Sequence, residues 1–310
     1  MQNRRTFLKK AAWGGSLLSL GGFPFSALSS ERQYTLTILH TNDTHSRIDP
    51  FPMDGSAFQG LGGVSRRASL IEKIRAEHEH VLLFDAGDIF QGTPYFNLYK
   101  GEVEFKAMSR MKYDAATMGN HDFDAGLEGF KQQLHLADFP FLTANYDFEQ
   151  TILKGKTKAY QIFEKAGLKI GVFGLGIQLW GLVPSEAYGQ TKYLDPLPVA
   201  NKMSDFLKNK KGCDMVICLS HLGYEYNSNK VSDKILAQET EDIDLIIGGH
   251  THTFLDKPTI MKNRAGREVV ISQVGWGGIN LGKLDFIFDS KKSTKLLNAQ
   301  TVIIGKETIG

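Results

Sequence analysis

Short apolar, β-branched runs recur along the chain at residues 34–39, 81–84, 115–118, 139–143, 170–175, 215–219, 245–247 and 269–274. Between many of them lie segments whose apolar positions repeat with the helical period, at 64–77, 103–111, 127–136 and 199–210. Apolar strands alternating with amphipathic helices predict sheets covered by helices. The last third changes character: runs 269–274 and 283–288 follow one another through a Gly-rich turn with no helix between, and a final strand is expected at 301–304. That pattern predicts a second, more antiparallel sheet packed on the first.

Residues 1–30 do not share this pattern. Arg4 and Arg5 precede an apolar, Gly- and Ser-rich run over 11–28 that contains Pro24. Four cations, no acids and several glycines argue against a stable amphipathic helix and for a twin-arginine export signal. Cleavage near Ala27 is expected to leave no stable membrane anchor, and to deliver residues 31–310 to the periplasm or the outside. The signal carries four of the 36 basic residues and none of the 34 acidic ones, so the remainder has 32 against 34, a net charge of −2. Such a balance gives no footprint for a nucleic-acid polymer or an anionic membrane. Without repeats, charge runs or a linker, residues 31–310 read as one domain. Cys213 and Cys218 share one apolar run. Five residues of strand span about 17 Å, against the roughly 7 Å a disulfide allows, so both should be unpaired core thiols.

Chemistry-bearing residues gather just after the apolar runs. The densest stretch is Gly119-Asn120-His121-Asp122-Phe123-Asp124. At a strand end neighbouring side chains point to opposite sides, so Asn120 can offer its carbonyl to a metal while His121 faces whatever is bound. If the chain turns into a helix at Phe123, Asp124 can accept the ring N–H of His121 and stabilise the imidazolium of a general acid. Alternatively, Asp124 N-caps a helix over 125–136. Asp43 and His45, in His40-Thr41-Asn42-Asp43-Thr44-His45, have i, i+2 spacing suited to one ion, and so do His250 and His252. Asp88 follows Asp85-Ala86-Gly87, and His221 follows Ser220. Five loops after five strands thus each supply a ligand-type residue at the sheet edge where α/β proteins build their sites. By contrast His78, His80 and His135 read as solvated, Asp85 as a supporting or capping carboxylate, and His40 as a buried hydrogen-bonding group.

Imidazole, carboxylate and amide without thiolate favour exchangeable Mn2+, Zn2+, Fe2+ or Co2+ over structural zinc. Seven residues, Asp43, His45, Asp88, Asn120, His221, His250 and His252, are too many for one ion. Two ions about 3.5–4 Å apart, bridged by one carboxylate, fit better and would activate water while clamping a phosphoryl oxygen.

Taken in order, Asp43-x-His45, Gly87-Asp88, Gly119-Asn120-His121-Asp122, Ser220-His221 and Gly249-His250-x-His252 resemble the motif series of the calcineurin-like metallophosphoesterase superfamily. Residues 38–43, Asp85-Ala86-Gly87-Asp88 followed by Gln91-Gly92-Thr93-Pro94, and the loop through Phe123-Asp124 are most similar to the catalytic domain of 5′-nucleotidases. The resemblance implies an α/β fold, a four-layer α/β/β/α sandwich of two mixed sheets flanked by helices. It implies Asp43, His45 and His252 on the first metal, Asp88 bridging, and Asn120, His221 and His250 on the second. Asn120 and His121 would contact the substrate phosphate, and His121, oriented by Asp124, would assist the leaving group. The nucleophile would be a metal-bound hydroxide. Relatives carry a C-terminal domain that reads the substrate, and no stretch up to Gly310 matches it, so a separately encoded C-terminal domain is one candidate partner for that part. The expectation is an exported, 5′-nucleotidase-like, di-metal phosphoric ester hydrolase. Its rivals are a UDP-sugar or 2′,3′-cyclic nucleotide hydrolase, a thiosulfohydrolase and a non-catalytic metal-binding subunit, the last disfavoured by the intact ligand set.

Overall fold

The apolar runs are buried on both faces, and that decides the architecture. A computed structural model describes residues 34–289 and 293–305, so the export-signal reading of 1–30 lies outside the described residues. Its strands are β1 (Tyr34–Thr41), β2 (Val81–Asp85), β3 (Ala115–Thr117), β4 (Phe141–Leu142), β5 (Tyr146–Asp147), β6 (Tyr160–Lys165), β7 (Leu168–Leu175), β8 (Lys192–Tyr193), β9 (Met215–Ser220), β10 (Leu245–Gly248), β11 (Thr259–Lys262), β12 (Glu268–Ser272), β13 (Asn280–Phe288) and β14 (Thr294–Ile303). One sheet has the order β14-β13-β1-β2-β3-β4 and the other β11-β12-β10-β9-β7-β6, while β5 and β8 form a small pair of their own.

Because side chains alternate along a strand, each run feeds two cores. Leu36 and Ile38 of β1, with Leu82 and Phe84 of β2, meet Met215, Ile217 and Leu219 of β9 and Leu245 and Ile247 of β10 between the sheets. Leu39, Val81 and Leu83 point the other way, onto Ile71 and Ile74 of helix Val64–Glu77 and Phe105 of helix Glu102–Arg110. Val216, Cys218 and Ile246 likewise leave the second sheet to pack on Ala200 of helix Pro196–Asp205 and Leu236 of helix Asp233–Glu239. Three cores separate four layers, α/β/β/α, as the motif resemblance implied. Full burial of each such side chain is worth roughly 1.5–3 kcal/mol before the entropy of ordering it is subtracted.

The expected second, more antiparallel sheet is not formed by the C-terminal third. β12 lies parallel to β10 in the second sheet, whereas β13 crosses to the first and pairs antiparallel with β1, from Tyr34↔Phe288 to His40↔Gly282. A Gly-rich turn without a helix joins two strands whether they share a sheet or face one another, so the local signal could not separate these cases. Antiparallel pairing is instead confined to the flanks of both sheets, at β13 and β14 in one and β6 and β11 in the other. The run at 139–143 contributes only β4, and the helix expected at 199–210 begins at Pro196, capped by Asp195, and ends in a π-turn over Phe206–Lys210. Cys213 and Cys218 are unpaired and buried. His78, expected in solvent, is half-buried with Nδ1 3.1 Å from Thr37 Oγ1 on β1.

Candidate active site

Parallel strands bring their C-terminal ends to one edge. β1, β2 and β3 are neighbours in the first sheet, and β9 and β10 in the second, so the five loops that follow them face one another. Seven non-glycine residues in these loops have left-handed backbone: Ser46 (φ 51°), Gln91 (φ 70°) and five members of the candidate ligand set, Asp43 (φ 49°), His45 (φ 48°), Asp88 (φ 56°), His250 (φ 71°) and His252 (φ 52°). Each costs roughly 1–2 kcal/mol in a non-glycine residue, and such strain concentrates at functional sites. The spacing therefore works differently from the strand alternation expected. Asp43 and His45 converge through left-handed backbone at both residues, and Asn120 is helical (φ −69°, ψ −35°) ahead of a 3-10 turn over His121–Phe123. Backbone hydrogen bonds hold the turns: Asp43 N to Gly87 O (2.9 Å), His45 N to Asp88 O (3.1 Å) and His121 N to Asp88 Oδ1 (2.8 Å). Gly119 admits the two loops to each other, since a Cβ there would stand 2.2 Å from Asp88 Oδ1 and 2.5 Å from His221 Nε2.

Two triads result. Ligand atoms of Asp43, His45 and His252 lie within 4.8 Å of one another, and so do those of Asp88, His221 and His250. In the first, His45 Nε2 is 3.0 Å from His252 Nε2, and His252 Nε2 is 3.4 Å from Asp43 Oδ1. In the second, His221 Nε2 is 3.1 Å from Asp88 Oδ2. The same Asp88 oxygen is 4.0 Å from His45 Nε2, which sets this carboxylate between the triads. Asn120 Oδ1 joins the second group at 2.8 Å from His250 Nδ1. His121 stands against His45, ring centroids 5.3 Å apart, and its Nδ1–H donates to Asp124 Oδ2 at 2.8 Å. Asp124 does not cap the next helix, Gly126–Gln133, whose N-cap position is Ala125.

The donors suit divalent cations. His221 Nδ1–H donates to Ala86 O (2.6 Å), which leaves Nε2 wholly buried and without a hydrogen-bond partner. His45 Nδ1 likewise faces Phe90 O at 3.2 Å, turning its Nε2 to the first triad. An imidazole fixed through one nitrogen with the other aimed at carboxylates is the arrangement that metal ligation requires. Burial lowers the pKa of His45 in spite of Asp88 and Asp43, and burial together with His221 lowers that of His250 to about 4. Burial thus favours the neutral form of both rings, the form that ligation requires. Burial would also lower His221, but Asp88 and Asp43 outweigh it and push the ring up to about 10. Burial opposes ionisation of Asp88, yet His221 holds it well below the usual carboxylate range. Positive charge is thus demanded at this point, a demand that a cation answers. The hydrogen bond to Asp124 raises the pKa of His121 against burial, and Asp88 adds to the effect.

Several supporting residues went unassigned from sequence. Asp122 is fully buried and accepts four backbone N–H groups, from Asp88 (3.0 Å), Ile89 (3.0 Å), Phe90 (3.2 Å) and Gly119 (2.8 Å). Asn42 donates to Asp43 Oδ2 and Gly275 O, each at 2.6 Å, and accepts from Val274 N. Gln273 donates to Gly249 O (2.6 Å) and accepts from Thr253 N (2.5 Å), fixing the loop that carries His250 and His252. A polar residue in an apolar run was the only sign of Gln273. Asp85 accepts from Thr41 Oγ1 and Gly87 N, and His40 Nε2 meets Ser272 Oγ at 2.9 Å, as their supporting roles require.

A four-layer sandwich with two carboxylate–histidine triads at one sheet edge defines a dinuclear divalent-metal site of the phosphoesterase type. Residues 36–254 match the family model for calcineurin-like phosphoesterase. The chain belongs to that family, a class of metal-dependent phosphoester hydrolases. It is 32% identical over 324 residues to the snake venom 5′-nucleotidase of Crotalus adamanteus, covering 97% of this chain and 52% of that protein. The crystal structure of a 5′-nucleotidase precursor from Thermus thermophilus superposes with a TM-score of 0.79 at 33% identity, over 89% of this chain and 55% of that one. The NAD nucleotidase of Haemophilus influenzae superposes with a TM-score of 0.77 at 28% identity, over 88% and 51%. The chain spans about half the length of the relatives it matches.

Proposed function

We propose that this chain hydrolyses phosphoric monoesters of the nucleoside 5′-phosphate type with two divalent cations. The observation that carries the reading is the pair of triads joined at Asp88, with the hydrogen-bonded His121–Asp124 pair beside them. The 5′-nucleotidases among its relatives support the nucleotide part. Asp43, His45 and His252 would hold one ion and Asn120, His221 and His250 the other, with Asp88 shared; Mn2+, Zn2+, Fe2+ and Co2+ all suit these donors. Bound ions supply the charge that lowers the pKa of water and neutralises phosphoryl oxygens. Asn120 and His121 hold the phosphate. As water adds to phosphorus and the ester P–O bond breaks, the His121 imidazolium gives its proton to the departing oxygen, and Asp124 keeps the ring oriented and protonated until then. The products are inorganic phosphate and the free alcohol. The Arg4-Arg5 motif supports twin-arginine export, which would carry this activity out of the cytoplasm.

A hydrolysis screen on metal-reconstituted protein tests the reading, across nucleoside monophosphates, simple phosphomonoesters, diesters and nucleotide sugars. His121→Ala should keep both ions and lose roughly 10²–10⁴-fold in rate on alkyl esters, and less on aryl esters, whose leaving groups need less protonation. Protein that holds two ions yet releases no phosphate from any nucleoside monophosphate would reject the proposal.

A further inference from the structure

A row of aromatic rings leads away from the metal triads. The His252 ring lies parallel to Trp276, centroids 5.8 Å apart at 13°. Trp276 stands edge-on to Phe51 and Phe58, and Phe58 stacks on Phe254 at 5.8 Å and 14°. Phe58, Trp276 and Phe254 belong to none of the three cores. Phe254 is 42% exposed and Met53, on the same loop as Phe58, 65%. Leaving Phe254 and Met53 at the surface forgoes burial worth roughly 1.5–3 kcal/mol each, which calls for a reason other than stability.

The shelf is preformed. Gly275 has φ +81°, and a Cβ on it would stand 2.2 Å from the Phe254 ring, so the ring lies flat on bare backbone. Hydrogen bonds from Gly275 N to Thr253 O (3.0 Å) and from Leu255 N to Gln273 O (3.2 Å) fix both strands of that contact. The loop bearing Met53 and Phe58 is closed at its base by Phe51 N to Leu61 O (2.8 Å) and Gly60 N to Phe51 O (2.9 Å). Rigid aromatic faces bind planar ligands with little ordering cost.

We propose that the Phe58–Phe254 shelf, reached from the triads across His252 and Trp276, binds the planar aromatic part of the ester's leaving alcohol. The inference rests on the phosphomonoester reading above and names the part of the substrate that this chain recognises for itself. Continuity with a metal ligand favours a substrate over a protein partner.

The experiment compares AMP with ribose 5-phosphate, which lacks the base, on the metal-loaded full chain. The wild type should show a kcat/KM for AMP about tenfold higher, carried by KM, as expected for one ring stacking on a base. Phe254→Leu keeps apolar volume over Gly275 but removes the π face. It should raise KM for AMP about tenfold, leave kcat and the ribose 5-phosphate constants unchanged, and be rescued by Phe254→Tyr. Calorimetric titration with adenosine should show the same loss of affinity. Equal constants for the two substrates in the wild type, or a leucine variant unchanged on both, would overturn the proposal. A dimer that dissociates in Phe254→Leu with an unchanged substrate ratio would also overturn it, by assigning the shelf to a second copy of the chain. Should neither ester release phosphate, the hydrolase reading fails, and the adenosine titration still decides whether the shelf binds a planar base.

Discussion

Asp122 is assigned to neither ion, yet its removal should disturb the site more than many surface changes near it. Its Oδ1 accepts the N–H groups of Ile89 and Phe90, and its Oδ2 those of Asp88 and Gly119, so one carboxylate ties the loop after β2 to the loop after β3. Asp122→Ala leaves four buried N–H groups without a partner. Each is worth about 1–3 kcal/mol when left unmade, and entry of water into relaxed loops recovers part, so a net loss of about 4 kcal/mol is expected. At about 2 °C per kcal/mol for a chain of this size, the melting temperature should fall by about 8 °C. Asp122→Asn keeps one accepting oxygen but turns an amide N–H2 group towards the other pair, so at least half the loss should remain. Because one of these four donors is the N–H of Asp88, whose carboxylate lies between the triads, metal content should fall with stability. Thermal unfolding at fixed pH and metal concentration, with elemental analysis of the folded protein, measures both. An alanine variant that melts within about 1 °C of the wild type and binds two ions would refute this account of Asp122.

Asp88→Asn should lower metal content towards one ion or none while the fold persists, because Asp88 stands between the triads at 3.1 Å from His221 and 4.0 Å from His45; two tightly bound ions by elemental analysis would remove Asp88 from the shared position. His40 is fully buried, and burial lowers its pKa to about 3, so the native state rejects a proton that the unfolded chain accepts near its ordinary 6.5. Its contribution is therefore complete above pH 6.5 and is lost as pH falls towards 3, at up to about 1.4 kcal/mol per pH unit. His40→Gln should then lose about 2 kcal/mol less than the wild type between pH 7 and pH 5 in urea denaturation, and parallel curves would show that the ring does not resist protonation. Arg4→Lys with Arg5→Lys should leave active protein in the cytoplasm, a result that fractionation reads directly; undiminished export of the double variant would discard the signal assignment.

How much of this was legible in the sequence depends on the range of the interactions involved. The helix at Val64–Glu77 was readable because one apolar face repeats with the helical period and is buried, and strands β2, β9 and β10 because their short apolar runs are buried on both sides. The ligand-type residues were readable because each follows such a run. Between-sheet connectivity was not: the turn ahead of β13 has the same composition in either arrangement. Asp122 was equally hidden, since its partners are main-chain N–H groups that every residue but proline carries. The aromatic shelf joins positions 58, 254 and 276 on separate loops, where no periodicity relates them.

The left-handed backbone at Asp43, His45, Asp88, His250 and His252 explains why these loops break local rules. Five such residues at roughly 1–2 kcal/mol each amount to about 5–10 kcal/mol, comparable with the whole stability of a domain. Glycine at any of the five would relieve the strain and delete a proposed ligand atom. The chain instead places glycine beside them, at Gly87, Gly119 and Gly249, where a side chain would collide with His221. Strain is then offset by contacts that only the assembled loops can make, such as His250 N to both Asp43 oxygens at 3.0 Å across 207 residues of sequence. Local conflict resolved by long-range contact is what distinguishes a site from a loop, and here five of the seven left-handed non-glycine residues in these loops belong to the two triads.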